Sequence, residues 1–177
     1  MSPNKNNIVD VLRAEYDEWV ASLSSEEKHA IRKYSYNSLD TKGNRFFERL
    51  NAMLRGAYNK KDVDVLARYS DIISTAISKH PLQIEIECYR GTDVDATIGL
   101  ADGTEFILEQ FTSTSVIRSK ALEKDYLYVI KVPIGARGAY IERISAFPSQ
   151  REFLLDKSCK YRLLKRSGKT VYLEVLV

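Results

Sequence analysis

Apolar residues in the first 80 positions of the chain recur at the spacing of α-helices. From Val9 to Leu23 they fall every three or four residues, which predicts an amphipathic helix with one buried face. The same period predicts three more helices, over residues 26–36, 44–54 and 63–78. Ser24 followed by acidic residues is typical of a helix start, whereas Gly56 and the His80-Pro81 pair are typical of helix ends.

From Leu82 onward the pattern changes to short runs of β-branched and aromatic residues. Residues 84–89 alternate apolar and polar side chains, as a half-buried strand does. Further strands are predicted, with turns at the glycines between them, over residues 105–115, 126–132, 139–144, 151–155, 161–165 and 170–177. The predicted fold is therefore α+β, with an N-terminal helical layer packed on a mostly antiparallel β half, and residues 1–177 are expected to form one domain.

Composition excludes several classes of protein. The 177 residues are 44% hydrophobic and 29% charged, which is typical of a globular domain, and the net charge of +3 is well short of a nucleic-acid-binding protein. No apolar run is long enough to span a membrane. Two separate buried thiols are expected at Cys88 and Cys159 rather than a disulfide framework or a zinc site. The polar N-terminus has no signal core, so we expect a cytosolic chain or a mature secreted form.

Two polar segments of the β half stand where a sheet core would hold apolar side chains. Arg90 ends a predicted strand and is followed by Gly91, an arrangement that suits a phosphate group because the guanidinium offers several fixed donors. The alternative is a solvated arginine beside a turn-forming glycine. Ser113 lies in a run of hydroxyl residues that could position a catalytic side chain, or could form only a β-prone edge strand.

A third polar segment follows residue 144. Gln150 and Glu152 are two positions apart, so both side chains would project to the same face of an extended strand. On one face, a carboxylate could stabilise positive charge while the neutral amide binds a polar acceptor. Phe147, next to Pro148, would present an aromatic ring on a turn. The alternative is a solvated strand face.

In this order, an Arg, a Ser-Thr-Ser strand and a Gln-x-Glu pair resemble ADP-ribosyltransferases of the Arg–Ser–Glu class. Residues 132–155 are similar to the corresponding stretch of the clostridial Rho-modifying exoenzymes, and residues 50–55 resemble the helical Asn-x-x-Leu-Arg segment of that family. Residues 19–31 share its helix–Leu-Ser-x-x-Glu-Lys–helix pattern. The resemblance implies a single catalytic domain with two packed sheets, which uses NAD as co-substrate and needs no metal.

The resemblance also implies a role for each site residue. Glu152 would stabilise the ribose cation that forms as nicotinamide leaves, and Ser113 would orient Glu152. A basic residue after Ser115 would contact phosphate; Lys124 aligns best, and Arg118 and Lys120 are the alternatives. The remaining residues expected to bind NAD are Arg90, Gly91, Thr114, Asn51 and Arg55.

The expected acceptor follows from Gln150. A neutral amide suits an asparagine side chain, whereas arginine-specific relatives carry Glu there, so the resemblance implies modification of an asparagine in Rho-type small GTPases. Phe147 would anchor this target, and the enzyme would be a secreted, monomeric toxin. Only 23 positions separate Arg90 from Ser113, which is short for the family. The alternatives are therefore a cytoplasmic phage or bacterial enzyme that modifies a host protein or nucleic acid, an NAD glycohydrolase, or a non-catalytic module.

Overall fold

The helical half has the four helices that the periodicity predicts. The computed structural model describes residues 7–177, and its helices are α1 (Ile8–Ser22), α2 (Ser25–Ser35), α3 (Phe46–Leu54) and α4 (Val63–Ser78). A reciprocal capping box starts α2: the Glu27 amide donates to Ser24 Oγ at 3.1 Å, and the Ser24 amide donates to Glu27 Oε2 at 2.8 Å. The predicted bounds are confirmed to within two residues.

The β half forms one sheet in the order β2-β7-β8-β4-β1-β3-β6-β5. All its strand pairs are antiparallel except β4 with β8. The predicted α+β class is therefore confirmed, but the two separate sheets are not, because the pair Tyr89 and Ser115 joins β1 to β3. The strands are β1 (Ile86–Thr92), β2 (Glu105–Leu108), β3 (Thr112–Ser115), β4 (Tyr126–Val132), β5 (Gly138–Tyr140), β6 (Glu152–Leu155), β7 (Cys159–Ser167) and β8 (Thr170–Leu176).

Three strands differ most from the prediction. The strand predicted over residues 84–89 is β1, which runs from Ile86 to Thr92, so Arg90 lies within the strand. Residues 105–115 are not one strand: β2 pairs with β7 at one edge of the sheet, whereas β3 lies between β1 and β6. The chain crosses between these places at residues 109–111, where Phe111 is buried. The strand predicted over 139–144 ends at Tyr140, because a turn follows in which the Ile144 amide donates to the Ile141 carbonyl at 3.0 Å.

The helices cover the β5 end of the sheet. In α1, Tyr16 donates its hydroxyl to the Gly138 carbonyl of β5 at 3.1 Å, and Trp19 donates Nε1 to the Ala76 carbonyl of α4 at 2.8 Å. The Tyr34 ring of α2 packs edge-on against Phe111, with centroids 5.4 Å apart. The ends of α2 and α3 therefore lie beside β3, next to the polar strand positions. Between residues 7 and 177, no helix is long and apolar enough to cross a membrane.

Candidate active site

The order β1-β3-β6 brings together the three polar segments that stand apart in the sequence. Arg90 of β1 donates Nη1 to the Ser113 carbonyl of β3 at 2.8 Å. The Ser113 hydroxyl in turn donates to Glu152 Oε1 at the start of β6. An arginine, a serine and a carboxylate thus form one hydrogen-bonded chain across three adjacent strands.

Glu152 is a buried carboxyl group whose titration is strongly perturbed. Its side chain is almost inaccessible to solvent, with 4% of the residue exposed. Burial raises the pKa of Glu152 to about 7, against the opposing effects of the Ser113 hydrogen bond and the positive charge of Arg90. A substantial fraction of Glu152 is therefore ionised at neutral pH inside a poorly solvated site, where a carboxylate interacts strongly with nearby positive charge.

A small cavity of about 70 Å³ opens beside this carboxyl group. The polar residues that line it include Arg90, Ser113, Lys120, Gln150 and Glu152. Binding sites for whole drug-sized ligands measure roughly 300–1,000 Å³, so this cavity accommodates only part of a dinucleotide.

Gln150 and Glu152 both line the cavity, but not as residues of one strand. Gln150 ends a 3-10 turn at Pro148–Gln150, and β6 begins only at Glu152. Between them Arg151 has left-handed backbone angles, with φ 50° and ψ 50°. The predicted extended face is therefore wrong, and a local change of backbone direction brings the amide and the carboxyl group to the same cavity.

A larger groove of about 950 Å³ lies on the other side of β1. Arg90 lines the small cavity and not the groove, Glu87 lines the groove and not the cavity, and Tyr89 borders both. The segment after β3 separates the two spaces: residues 116–119 line the groove and residues 120–122 line the small cavity. Neither Ser113 nor Glu152 lines the groove, so we place the reactive centre in the small cavity.

Gly91 allows that segment to lie directly on β1. It is part of the strand rather than of a turn, and a Cβ atom at this position would overlap the Leu122 carbonyl oxygen. The interpretation of Gly91 as a turn former is therefore wrong. Its backbone also lines the cavity, so its expected contact with NAD stays a prediction.

The substitution Gly91→Ala is expected to destabilise the protein by about 2 kcal/mol, because the backbone at Leu122 must move to admit the methyl group. Urea denaturation followed by circular dichroism measures this change. Gly91→Ser should cost at least as much. Wild-type stability in both variants would contradict the close approach of Leu122 to β1.

Of the three basic residues predicted as phosphate contacts, only Lys120 lines the cavity. Lys124, the preferred candidate, forms an ion pair with Asp93 at 3.1 Å and does not line the cavity. Arg118 lies over the Tyr89 ring, 6.0 Å from its centroid, beside the larger groove. Lys120 is therefore the basic residue best placed to contact a phosphate group, while the contact expected of Lys124 stays a prediction. The ion pair of Lys124 with Asp93 cannot be read from the sequence.

The two residues of the helical half that are expected to bind NAD, Asn51 and Arg55, lie near the site but do not line the small cavity. Asn51 is buried and donates Nδ2 to the Tyr34 hydroxyl at 2.9 Å, while its Oδ1 accepts no hydrogen bond from the described residues. Such a buried free acceptor suits a donor group of a ligand. Arg55 directly follows α3, and its Nη1 donates to Gln110 Oε1 just before β3.

Tyr34 is a site neighbour that sequence reasoning missed. Burial raises its pKa above the usual value, and the hydrogen bond from Asn51 and the charges of Glu152, Arg90 and Arg55 also act on the phenol. This hydroxyl therefore lies near the side chains from both the helices and the sheet. The helical period marks Tyr34 only as a core aromatic, because no local motif separates a tyrosine next to a site from one that fills the core.

Thr114 and Phe147 are not part of the hydrogen-bonded chain that joins Arg90, Ser113 and Glu152. The Thr114 hydroxyl donates to the Phe153 carbonyl at 2.6 Å, so it joins β3 to β6 and is not free to donate to a ligand. Thr114 also lines the small cavity, so its expected contact with NAD stays a prediction. Phe147 is partly exposed just before the 3-10 turn, where an anchor for a target is expected.

No cluster of metal-ligating side chains occurs among residues 7–177.

Comparison with known proteins places the chain among ADP-ribosyltransferases. Residues 13–172 match the family model of the ADP-ribosyltransferase exoenzymes. Over 162 residues the chain is 30% identical to an NAD(+)–arginine ADP-ribosyltransferase of Enterococcus faecalis. That alignment covers 85% of this chain but only 31% of the relative, so the chain spans about a third of the length of the curated relative.

Solved structures match over nearly the whole chain. The toxin Plx2a of Paenibacillus larvae, an ADP-ribosyltransferase, superposes with a TM-score of 0.76 and 25% identity, covering 98% of this chain and 96% of the toxin. The C3 exoenzyme of Clostridium limosum gives a TM-score of 0.76 at 22% identity, covering 96% and 95%. A third match, C3stau2 of Staphylococcus aureus, was solved with NAD and gives 0.75 at 18% identity, covering 97% and 94%. The chain belongs to the ADP-ribosyltransferase exoenzyme family.

Proposed function

We propose that the chain is an NAD-dependent mono-ADP-ribosyltransferase, secreted as a toxin, that transfers ADP-ribose to an asparagine of a Rho-type small GTPase. The observation that carries the proposal is the buried Glu152 carboxyl group, hydrogen-bonded by Ser113 beside Arg90. This arrangement suits a reaction in which positive charge develops on a bound sugar. Family membership supports the same chemistry.

The reaction breaks the bond between nicotinamide and ribose. Positive charge builds up on the ribose in the transition state, so a fixed carboxylate stabilises the transition state more than the ground state. Ser113 donates to Oε1 of Glu152, whereas Oε2 accepts no hydrogen bond from the described residues and would bind a ribose hydroxyl. Arg90 uses only Nη1 for the Ser113 carbonyl, and its other N–H groups, together with Lys120, would bind the phosphates.

The choice of acceptor rests on Gln150. Gln150 lines the same cavity as Glu152, and its side-chain amide can exchange hydrogen bonds with the amide of an asparagine. A guanidinium acceptor has no hydrogen-bond acceptor of its own and pairs best with a carboxylate. The neutral residue at this position therefore favours asparagine over arginine.

Arginine is the second candidate acceptor, because the E. faecalis relative carries the name of an arginine-modifying enzyme. We rank arginine second because of the neutral side chain of Gln150.

A transfer assay with radiolabelled NAD tests the proposal. The chain is incubated with a purified Rho-type GTPase, with agmatine as an arginine mimic, or with buffer alone. We expect labelled GTPase, and mass spectrometry should locate ADP-ribose on an asparagine. Label on agmatine with none on the GTPase would favour the second candidate. Release of nicotinamide without any labelled acceptor would mean an NAD glycohydrolase, and intact NAD in all three reactions would overturn the proposal.

The rate of the reaction should depend on the ionisation of Glu152. Because the pKa of the free enzyme's carboxyl group is about 7, kcat/KM for NAD should fall about tenfold per pH unit below 7 and level off above it. Nicotinamide release measured between pH 5 and 9 gives this profile. A flat profile across pH 7 would contradict a catalytic role for the ionised Glu152.

A further inference from the structure

Arg151 separates the acceptor-binding amide from the catalytic carboxyl group by one position, and its backbone is unusual. Its left-handed conformation, with φ 50°, is disfavoured for residues that carry a Cβ atom. Such a conformation persists where surrounding contacts determine it. Two backbone hydrogen bonds hold Arg151 in place. Its amide donates to the Pro148 carbonyl at 3.2 Å, and its carbonyl accepts from the Val116 amide at 3.0 Å.

The Arg151 side chain is bound by a carboxylate that nothing in the reaction uses. Glu142, whose side chain is 8% exposed, accepts a hydrogen bond from Arg151 Nη1. The same carboxylate accepts from Arg13 of α1, at 3.0 Å from Nε and 2.7 Å from Nη2, and from the Tyr140 hydroxyl at 2.8 Å. Glu142 thus ties helix α1 and strand β5 to the single residue between Gln150 and Glu152.

The two residues that flank Arg151 differ in how firmly they are held. Glu152 pairs with Ser115 in β3, its carbonyl accepts from the Ile141 amide at 3.1 Å, and its carboxyl group is bound by Ser113. Gln150 has no side-chain hydrogen bond to the described residues. Its position depends on the Pro148–Gln150 turn, and this turn is continuous with Arg151.

We propose that the Glu142–Arg151 ion pair, supported by Arg13, positions the Phe147–Gln150 segment relative to Glu152 and so controls transfer to the acceptor. Loss of the pair would leave Glu152 in its strand and release the turn. NAD cleavage would continue with water as acceptor, while transfer to the protein target would fall. The inference rests on the proposed transferase activity, and it assigns Arg151, Glu142 and Arg13 as positioning residues.

The variants Arg151→Leu and Glu142→Gln test this role, each compared with the wild type for two rates. The first rate is transfer of label to the protein acceptor; the second is release of nicotinamide without an acceptor. We expect transfer to fall about 10- to 100-fold, the cost of a misplaced group near a reacting atom, while nicotinamide release is unchanged. Because the two residues act through one contact, the double variant should be no worse than the poorer single variant.

Arg143→Leu is the matched control. Arg143 follows Glu142 and also ties this loop to α1, through Asp17 at 3.0 Å, but it does not contact Arg151. Its ratio of transfer to nicotinamide release should equal that of the wild type. Arg151→Lys, which keeps the positive charge, should recover part of the lost transfer, and thermal melts will show whether each variant is folded.

Three results would overturn the inference while leaving the transferase activity intact. One is full transfer by folded Arg151→Leu. Another is an equal loss of transfer and nicotinamide release in both variants, which would indicate a general loss of structure. The third is additive losses in the double variant. A wild-type chain with no activity toward NAD would instead refute the proposed function itself.

Discussion

Glu152→Gln is expected to lower both nicotinamide release and ADP-ribose transfer by about 10³-fold. Glutamine keeps the shape of the side chain and an oxygen that can accept the Ser113 hydrogen bond, but it cannot carry the negative charge that faces the ribose cation. Removal of one preorganised group that interacts with transition-state charge has effects of this size. NAD binding should change far less, because Arg90, Lys120 and Asn51 are unaltered.

The same variant is expected to be more stable than the wild type above pH 7. The pKa of Glu152 in the folded protein is about 7, above the usual 4.5, so folding favours the protonated group. That stabilisation is fully present below pH 4.5 and is lost as the pH rises through 7. At pH 8 the free energy of unfolding of the wild type is therefore lower by up to about 3 kcal/mol. Glu152→Gln does not undergo this loss.

Nicotinamide release and urea denaturation at pH 5 and pH 8 measure both effects. Glu85→Gln is the matched control, since Glu85 is exposed and faces Lys131 at 3.7 Å outside the small cavity. It should have wild-type activity and stability. An active Glu152→Gln would contradict the catalytic role of the charge. A stability difference from the wild type that is the same at both pH values would contradict the effect of burial on Glu152.

Gln150→Glu is expected to move the acceptor preference from asparagine to arginine. A carboxylate in this position can bind a guanidinium through two parallel hydrogen bonds, whereas it loses the donor that an asparagine oxygen requires. Transfer to the Rho-type GTPase should fall about 100-fold, and transfer to agmatine should appear. A second carboxyl group beside Glu152 should also raise the pKa of Glu152 further and move the pH profile upward.

Both acceptors are offered to the wild type, to Gln150→Glu and to Gln150→Ala. The alanine variant should lose transfer to the GTPase without gaining transfer to agmatine. This result separates a change of specificity from a simple loss of activity. Agmatine labelling by the wild type would contradict the assignment of asparagine. An unaltered preference in Gln150→Glu would show that specificity lies elsewhere, for example in the rest of the longer arginine-specific relative.

Elements with a strong local signal can be predicted from the sequence. The helix bounds follow from the spacing of apolar residues, because the same residues form the buried face of each helix. Ser24 and Glu27 form the capping box that their spacing indicates. Arg90, Ser113 and Glu152 are identifiable through the resemblance of their order to the ADP-ribosyltransferase signature, whereas each segment alone leaves a structural alternative open. Their adjacency in space depends on the strand order, which periodicity alone does not contain.

The errors arise where tertiary contacts decide the local structure. Residues 105–115 contain no glycine or proline that would mark a break, yet the chain leaves one edge of the sheet and joins its other half within three residues. Gln150 and Glu152 alternate as in a strand, but contacts of Arg151 with Val116 and Glu142 stabilise a left-handed turn. The ion pair of Lys124 with Asp93 is likewise a tertiary contact that the sequence does not show.

The central claim is that Glu152 faces the ribose of a bound NAD molecule. A crystal structure of the chain with NAD tests this claim most directly. We predict the nicotinamide ribose within hydrogen-bonding distance of the Glu152 carboxylate, with Arg90 on the phosphates. A dinucleotide bound in the larger groove, with Glu152 out of reach of its ribose, would contradict the claim.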